Sequence, residues 1–536
     1  MVLLLTTGFL LLWTARCEKR KIVVAVVDDL GWSDVGFQGD EPLRATPTLD
    51  ALAASGVRFE RMYGGCECTP SRAMLLTGKH AVSLGLQDSV VHGTEPRGMP
   101  LEPPTLGDKM RAFGYGTSCV GKWHLGFFAP QYLPRRRGFD YFFGILSGGG
   151  DHYAKVTTEI FEARASNDDV SSESNVVLLR GRNLWENDGP WEGWSDEHST
   201  VLYTQKALDR LDDDGPTFVY LAYQAVHGPV QAGELPVACR DATSSSPDVN
   251  SALRPRLCGM VGMIDDSIKR IHEAMSRDEF DWTLWFVADN GGVRRHGSSN
   301  APLRGEKGTV WDGGVRLVSF LAGSDVKPQR HVHLAHLVDI HATVAQEGSG
   351  DDLLGGRPVR FDGTPHRTRV LVNRNSDTWG GGGALVANVR GRAYKLVVEN
   401  SVGDAVLYRA GRAMLAERAY DQAGLDAALD ARRKLLFPEP VVHVFDLDAD
   451  PEEANNLLEN IDDDDDGASN LLIRDELLRA WSELDGKILS SPDVWRDDGP
   501  LADPALFGGT WRPWRDEDGL PLATYQIQII TTFNPA

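Results

Sequence analysis

Ile22-Val23-Val24-Ala25-Val26-Val27-Asp28-Asp29 is six apolar residues running without a break into two carboxylates. A run of that length with no polar alternation suits a strand covered on both faces, as in a parallel sheet. Two further runs repeat the form. Thr217 to Ala222 (TFVYLA) leads to His227, and Thr283 to Ala288 (TLWFVA) ends in Asp289-Asn290. Helical patterns fall between them at Thr48 to Ser55, Pro104 to Phe113, Thr200 to Leu211 and Gly259 to Ser276. This alternation predicts an α/β fold with a mostly parallel sheet flanked by helices. In such sheets ligands bind outside the carboxyl ends of the strands, which is where these polar residues fall.

Outward from that frame, Gly380 to Gly383 reads as a glycine linker. Beyond it, Ala384 to Glu399 alternates as strands around Arg390-Gly391-Arg392, and Val441 to Leu447 is another strand candidate. These predict a smaller C-terminal α+β domain with an antiparallel sheet. Asp462 to Asp466 is a run of five acids; a cation site is conceivable, but a solvated loop is the default for such a run. No internal repeat is present.

The chain has 536 residues, of which 42% are apolar and 25% charged, so it is long enough for a large core and is not disordered. Its formal charge of −22 argues against a nucleic-acid partner and against coating an anionic membrane. Met1 to Ala15 (MVLLLTTGFLLLWTA) is too short for a span and suits a signal-peptide core, so residues 1–17 are expected to be a signal peptide; a buried N-terminal strand or helix is the alternative. No later run is long enough to insert stably in a membrane. No Asn lies in an N-x-Ser/Thr sequon, which favours secretion over a glycan-addressed lysosomal route. Of 6 Cys, Cys239 and Cys258 can pair, Cys66 and Cys119 can be paired or free, and Cys17 leaves with the signal.

The chemistry centres on Cys68-Thr69-Pro70-Ser71-Arg72, followed by Ala73-Met74-Leu75-Leu76-Thr77-Gly78. Pro70 suits the first turn of a helix, Leu75 and Leu76 its buried face, and Gly78 its end. Cys68 then sits at a helix N-terminus, a position that lowers a thiol's pKa and attracts anions. In Gly114 to Gly126 (GYGTSCVGKWHLG), Lys122 and His124 stand at i and i+2, so an extended chain points both the same way. Such a pair can grip an oxyanion and move a proton. Asp28, Asp29, Asp289 and Asn290 are oxygen donors at two strand ends, a set that suits Ca²⁺ or Mg²⁺.

The C-x-P-S-R and G-Y-x-T-x-x-x-G-K-W-H-L-G segments resemble the signatures of the type I sulfatases. So do Ala225-Val226-His227-Gly228-Pro229, Asn300 to Lys307 (NAPLRGEK), Trp311 to Arg316 (WDGGVR), Arg137 to Gly144 and Phe445 to Glu452. Asp312 replaces the family's usual Glu. The resemblance implies the alkaline-phosphatase/sulfatase-like fold, with a catalytic domain over residues 21–378 and a C-terminal subdomain over 379–536. It implies that Cys68 is oxidised to formylglycine by the formylglycine-generating enzyme, and that Asp28, Asp29, Asp289, Asn290 and the modified Cys68 hold one divalent cation, usually Ca²⁺. By the same resemblance the aldehyde hydrate attacks sulfur while Lys122 and Lys307 hold the sulfate. His227 or Lys307 protonates the departing alcohol. His124 assists release of sulfate, and Arg72 orients the aldehyde. Three carboxylates then face three cations (Arg72, Lys122 and Lys307), and the metal tips the pocket positive for an anionic ester.

The nearest subgroup by motif is the arylsulfatase B-like N-acetylgalactosamine-4-sulfatases, which implies a sulfated sugar or glycosaminoglycan. A phosphonate or phosphate ester hydrolase of the same superfamily, and a non-catalytic binder of sulfated glycans, are the alternatives. His331, His333, His336 and His341 are expected to be a loop and the exposed face of one helix rather than a metal site. Ala342 stands where the family has Pro in D-x-x-P-T, and is expected to alter a helix start.

Overall fold

Every residue of the Arg20–Val27 strand is buried, as its unbroken apolar run requires. It pairs in parallel with Thr217–Tyr223 on one side and Asp281–Ala288 on the other. Gly116–Lys122 continues the parallel array beyond Thr217–Tyr223, and Tyr141–Ile145 follows. Ser319–Gly323 and Val57–Phe59 extend the other side antiparallel, so among the described residues the sheet has ten strands of mixed direction. The computed structural model describes residues 20–163, 175–193, 195–277, 280–347, 353–374, 383–399, 441–459, 465–484, 487, 489, 502–507 and 510–518. The expected signal segment 1–17 lies outside the described residues, as do Gly380 to Gly382 and the side chains of the five-Asp run.

The helices lie where local chemistry starts and stops them. Pro47–Ser55 opens on Pro in its first turn. Leu106–Ala112 is held by a reciprocal capping box between Thr105 and Asp108. Cys68–Thr77 closes on Gly78 at φ 64°, whose N–H donates to the Met74 carbonyl. The long helix starts at Arg254, earlier than the expected Gly259, because Pro255 opens its first turn and the buried Arg254 is tied to Asp34. Ser199–Leu211 packs on this helix and on the central strands, while Cys68–Thr77 packs on Leu337–Val344.

A second, four-stranded antiparallel sheet runs Arg369–Arg374, Gly383–Val389, Arg392–Glu399 and Val441–Asp446, and the Asp465–Ser482 helix packs against it. Its first strand precedes the boundary expected at 379. Residues 510–514 return to the large lobe, where Trp511 and Trp514 join the main core. The two lobes meet on a buried ion triad: Lys395 Nζ lies 2.8 Å from Asp312 and 2.7 Å from Glu453. Asp312, the family departure, therefore serves this joint, and it also accepts from Tyr63. Cys239 and Cys258 form a disulfide, while Cys66 and Cys119 carry none. Among the described residues no helix is long and apolar enough to cross a membrane.

The histidines after residue 330 do not line an exposed face. His331, His336 and His341 are buried, and His333 is half-buried. His331 packs against Phe59, and His336 caps the Leu337–Val344 helix with Asp339 in a capping box. That cap, and not residue 342, fixes the helix start; Ala342 lies inside the helix. Burial pushes His80, His331 and His341 down to about 4. The unfolded chain therefore takes up protons first as pH falls below about 6.5, and stability drops with it. Each such histidine is expected to remove about 1.4 kcal/mol per pH unit between pH 6.5 and 4. Denaturant unfolding at pH 7 and pH 5 measures this, and His331→Phe is expected to flatten the slope.

Candidate active site

The parallel register assembles the site. Val27 pairs with Ala288, so Asp28-Asp29 and Asp289-Asn290 leave adjacent strands side by side. Asp29 takes a left-handed backbone (φ 58°), a conformation Asp tolerates better than most residues, and its N–H donates to Asp289. Lys122 ends its own strand. The neighbouring Gly121 has φ 111° and lies so close to the Ala222 carbonyl that a Cβ there would clash at 1.8 Å. Cys68 is the first residue of its helix and is buried.

These elements converge on one buried cluster. Cys68 Sγ donates to Asp28 Oδ1 at 3.3 Å and lies 3.1 Å from Lys307 Nζ. Lys307 Nζ also reaches Asp29 Oδ1 at 2.5 Å, and Lys122 Nζ reaches Asp28 Oδ2 at 2.5 Å. Arg72 donates to Asp289 from Nε and Nη2 and to the Lys122 carbonyl from Nη1. Asn290 Nδ2 donates to Asp29 at 2.8 Å. His227 Nε2 stands 3.9 Å from Asp29 Oδ2 on the open side, with its side chain 27% exposed.

Burial works against the charge on Asp28 and Asp29, but the lysines overcome it. Lys122 brings Asp28 below its ordinary value, and Lys307 brings Asp29 to about 2. Burial lowers Lys307 in turn, yet Asp29 holds it well above the usual lysine range. The Cys68 thiol is pushed up by burial and then by Asp28, so the expected lowering at a helix N-terminus is overruled. An unmodified Cys68 is thus a thiol, not a thiolate, at neutral pH.

Asp28, Asp29, Cys68 and Asp289 each offer a ligand atom, all within 4.8 Å of one another. Asp29 Oδ2 and Asn290 Oδ1 are buried acceptors without a hydrogen-bond partner among the described residues. Hard oxygen donors left unsatisfied in that way fit a divalent cation.

Residues 20–347 match the family described as Sulfatase. The chain belongs to the sulfatase family. It is a sulfuric ester hydrolase. This sulfatase is 32% identical over 534 residues to arylsulfatase J of Mus musculus, across 94% of this chain and 82% of that protein. It is 30% identical over 372 residues to N-acetylgalactosamine-6-sulfatase of Mus musculus, across 64% of this chain and 65% of the relative. Arylsulfatase A of Bos taurus is 29% identical over 474 residues, across 84% and 85%. Two solved structures share the fold. The crystal structure of Ps i-CgsB in complex with k-i-k-neocarrahexaose has a TM-score of 0.64 at 21% identity, over 91% of this chain and 98% of that one. The PsFucS1 sulfatase from Pseudoalteromonas sp. has a TM-score of 0.57 at 22% identity, over 90% and 93%.

One of the candidate residues stands differently from expectation. His124 is not on an extended continuation of Lys122: the strand ends at Lys122, and His124 takes φ 56°. Its Nε2 meets the Val91 carbonyl at 3.1 Å, and its Nδ1 is buried without a partner among the described residues. Burial, with Lys122 next, holds His124 neutral. Arg72 grips Asp289 and braces the cluster through that carboxylate. The residue missed in the sequence is His296, whose ring packs on Gly228 beside His227. Its only signal was its place in the loop between Asp289-Asn290 and the NAPLRGEK segment.

Removing one cation from this balance leaves a buried carboxylate uncompensated. Lys122→Met is expected to destabilise the metal-free chain by about 3–5 kcal/mol, measured by denaturant unfolding in the presence of a chelator.

Proposed function

We propose that this sulfatase hydrolyses sulfate monoesters with a formylglycine made from Cys68 and with one Ca²⁺ held by Asp28, Asp29, Asp289 and Asn290. The observation that carries the reading is the placement of Cys68 Sγ within 3.3 Å of Asp28 and 3.1 Å of Lys307. That position joins the reacting side chain to the oxygen donors and to a cation at one point. The hydrated formyl group supplies a nucleophilic oxygen, and the bound cation polarises the sulfate.

The rest of the chemistry falls to the chain's own side chains. Lys122 and Lys307 hold sulfate oxygens and offset the charge that grows on them. Asp28 and Asp29 are ionised ligands and do not serve as bases. His227, on the open side, or Lys307 carries a proton to the departing alcohol oxygen. His124, held neutral by burial, accepts the proton when sulfate is released. Arg72 keeps Asp289 in position.

The substrate we propose is a sulfated sugar or glycosaminoglycan, with N-acetylgalactosamine 4-sulfate as the lead compound. The motifs around Cys68, Arg137 and Asn300 favour the 4-sulfatase subgroup. The relatives named N-acetylgalactosamine-6-sulfatase support the sugar class and make position 6 the comparison. Maturation by the formylglycine-generating enzyme and export through the secretory pathway, with residues 1–17 as signal, complete the proposal.

The test is mass spectrometry of the Cys68 peptide together with turnover. The peptide is expected to be roughly 18 Da lighter than its unmodified sequence. Cys68→Ala is expected to lower turnover of p-nitrophenyl sulfate by about three orders of magnitude or more while preserving the fold. Full turnover in that variant, or faster hydrolysis of p-nitrophenyl phosphate or phosphonate by the parent, sinks the assignment.

Calcium offers a readout independent of turnover. At a hundred times its Kd it is expected to stabilise the chain by about 2.7 kcal/mol, with the gain lost in Asp289→Asn. Thermal unfolding with and without the ion decides it.

A further inference from the structure

His152 is fully buried beside the site, yet it takes no part in the chemistry described above. It lies on the segment that follows the Tyr141–Ile145 strand, just past Gly148-Gly149-Gly150. Its ring lies flat on that of His198, with centroids 4.4 Å apart and planes 9° from parallel. Both of its ring nitrogens are engaged. Nε2 is 3.0 Å from the His227 carbonyl oxygen, and Nδ1 is 2.8 Å from Ser199 Oγ. A carbonyl only accepts, so Nε2 carries the hydrogen. Burial brings this imidazole down to about 4, so it is neutral, and Nδ1 is left as an acceptor. The Ser199 hydroxyl therefore donates to Nδ1 and selects the tautomer that can grip His227.

The main chain around His152 is tied at several points. Its N–H donates to Gln231 at 2.9 Å, and its carbonyl accepts from the Ser199 N–H at 2.9 Å. Gln231 donates to Asp151 at 2.7 Å, and Lys155 Nζ donates to the Tyr153 and Glu197 carbonyls. These bonds join residues 151–155, 197–199 and 227–231 into one unit. His227 is the member of that unit that faces the reaction. Its Nδ1 donates to the Gly228 carbonyl at 2.7 Å, which leaves Nε2 toward Asp29. Gly149 lies against the same ring, where a Cβ would come within 3.1 Å of Cε1. The direction of the ring thus follows from where its own backbone sits, and His152 pins that backbone at the carbonyl. Lys307 Nζ, the other candidate proton donor, is already taken up by Asp29 and Cys68.

We propose that His152 is a positioning residue for proton delivery, holding the His227 imidazole at the departing oxygen, with Ser199 setting its tautomer. The inference rests on the sulfate-ester reading above and gives the proton to His227 rather than Lys307. The experiment measures kcat/KM of the full chain, with Cys68 converted and calcium bound, on p-nitrophenyl sulfate and on phenyl sulfate. p-Nitrophenolate departs without a proton, whereas phenolate is the poorer leaving group and gains more from one. His152→Phe keeps a ring to stack on His198 and removes the donor. It is expected to lower the value for phenyl sulfate by about tenfold or more, and that for p-nitrophenyl sulfate by no more than about threefold. Should His152→Phe fail to fold, Ser199→Ala is expected to show the same bias, at about threefold on phenyl sulfate. In a His227→Gln background, either change is expected to add less than about twofold, because the residues act as a unit. Equal losses on the two esters, or losses that multiply with that of His227→Gln, overturn the positioning role and leave the sulfatase reading standing. A His227→Gln variant that slows both esters alike returns the proton to Lys307 and overturns the inference too. A parent chain that hydrolyses neither ester overturns the proposed function and the inference together.

Discussion

Three carboxylates taken out of water at one end of a sheet set the terms for the rest of this molecule. Asp28, Asp29 and Asp289 are all buried, and each is met by a different cation: Lys122, Lys307 and Arg72. An isolated buried carboxylate costs several kcal/mol, so the chain holds this cluster only if the segments bearing the three cations arrive together. Those segments are a strand end, a loop and a helix far apart in sequence. The parallel sheet supplies the meeting place, because its strands present their carboxyl ends along one edge.

The same balance explains why Cys68 behaves unlike an ordinary helix N-terminal cysteine. A helix N-terminus is worth a fraction of the desolvation penalty once the sulfur is fully enclosed, and Asp28 adds a repulsion of the same sign. A neutral thiol is a poor nucleophile, which fits the proposal that Cys68 acts only after modification. Lys122 and Lys307 favour a thiolate, but burial and Asp28 outweigh them.

What was legible in the sequence was local. Six apolar residues ending in Asp28-Asp29 announce a doubly covered strand, and Pro70 with Gly78 brackets the helix that carries Cys68. The nine candidate residues other than His124 lie together in one cluster. What escaped was decided by distant partners. His331, His336 and His341 read as solvent-facing because nothing local reveals that Phe59, Asp339 and Gly78 enclose them. The Arg369–Arg374 strand is defined only by its pairing with Gly383–Val389 across the expected boundary. Trp511 and Trp514 rejoin the large core after the small sheet is complete, a return no periodicity encodes. His124 departs from its expected geometry through one backbone torsion, which spacing cannot specify.

The small lobe then has a role in the chemistry that its position does not suggest. Lys307 sits in the loop from Asn300 to Trp311, and that loop needs rigid ends if an ammonium is to stay within 2.5 Å of Asp29. At one end Asn300 exchanges hydrogen bonds with Gly292, just past Asp289-Asn290. At the other, Arg304 stacks on Trp311 at 3.7 Å and donates to the Glu453 carbonyl, while Asp312 N–H donates to the Glu453 side chain. Glu453 and Lys395 belong to the small lobe and are buried with Asp312 in the ion triad. The second sheet therefore fixes the far end of the Lys307 loop through charges withdrawn from water. The lysine proposed to hold sulfate is in this way positioned by an ion pair on the other lobe.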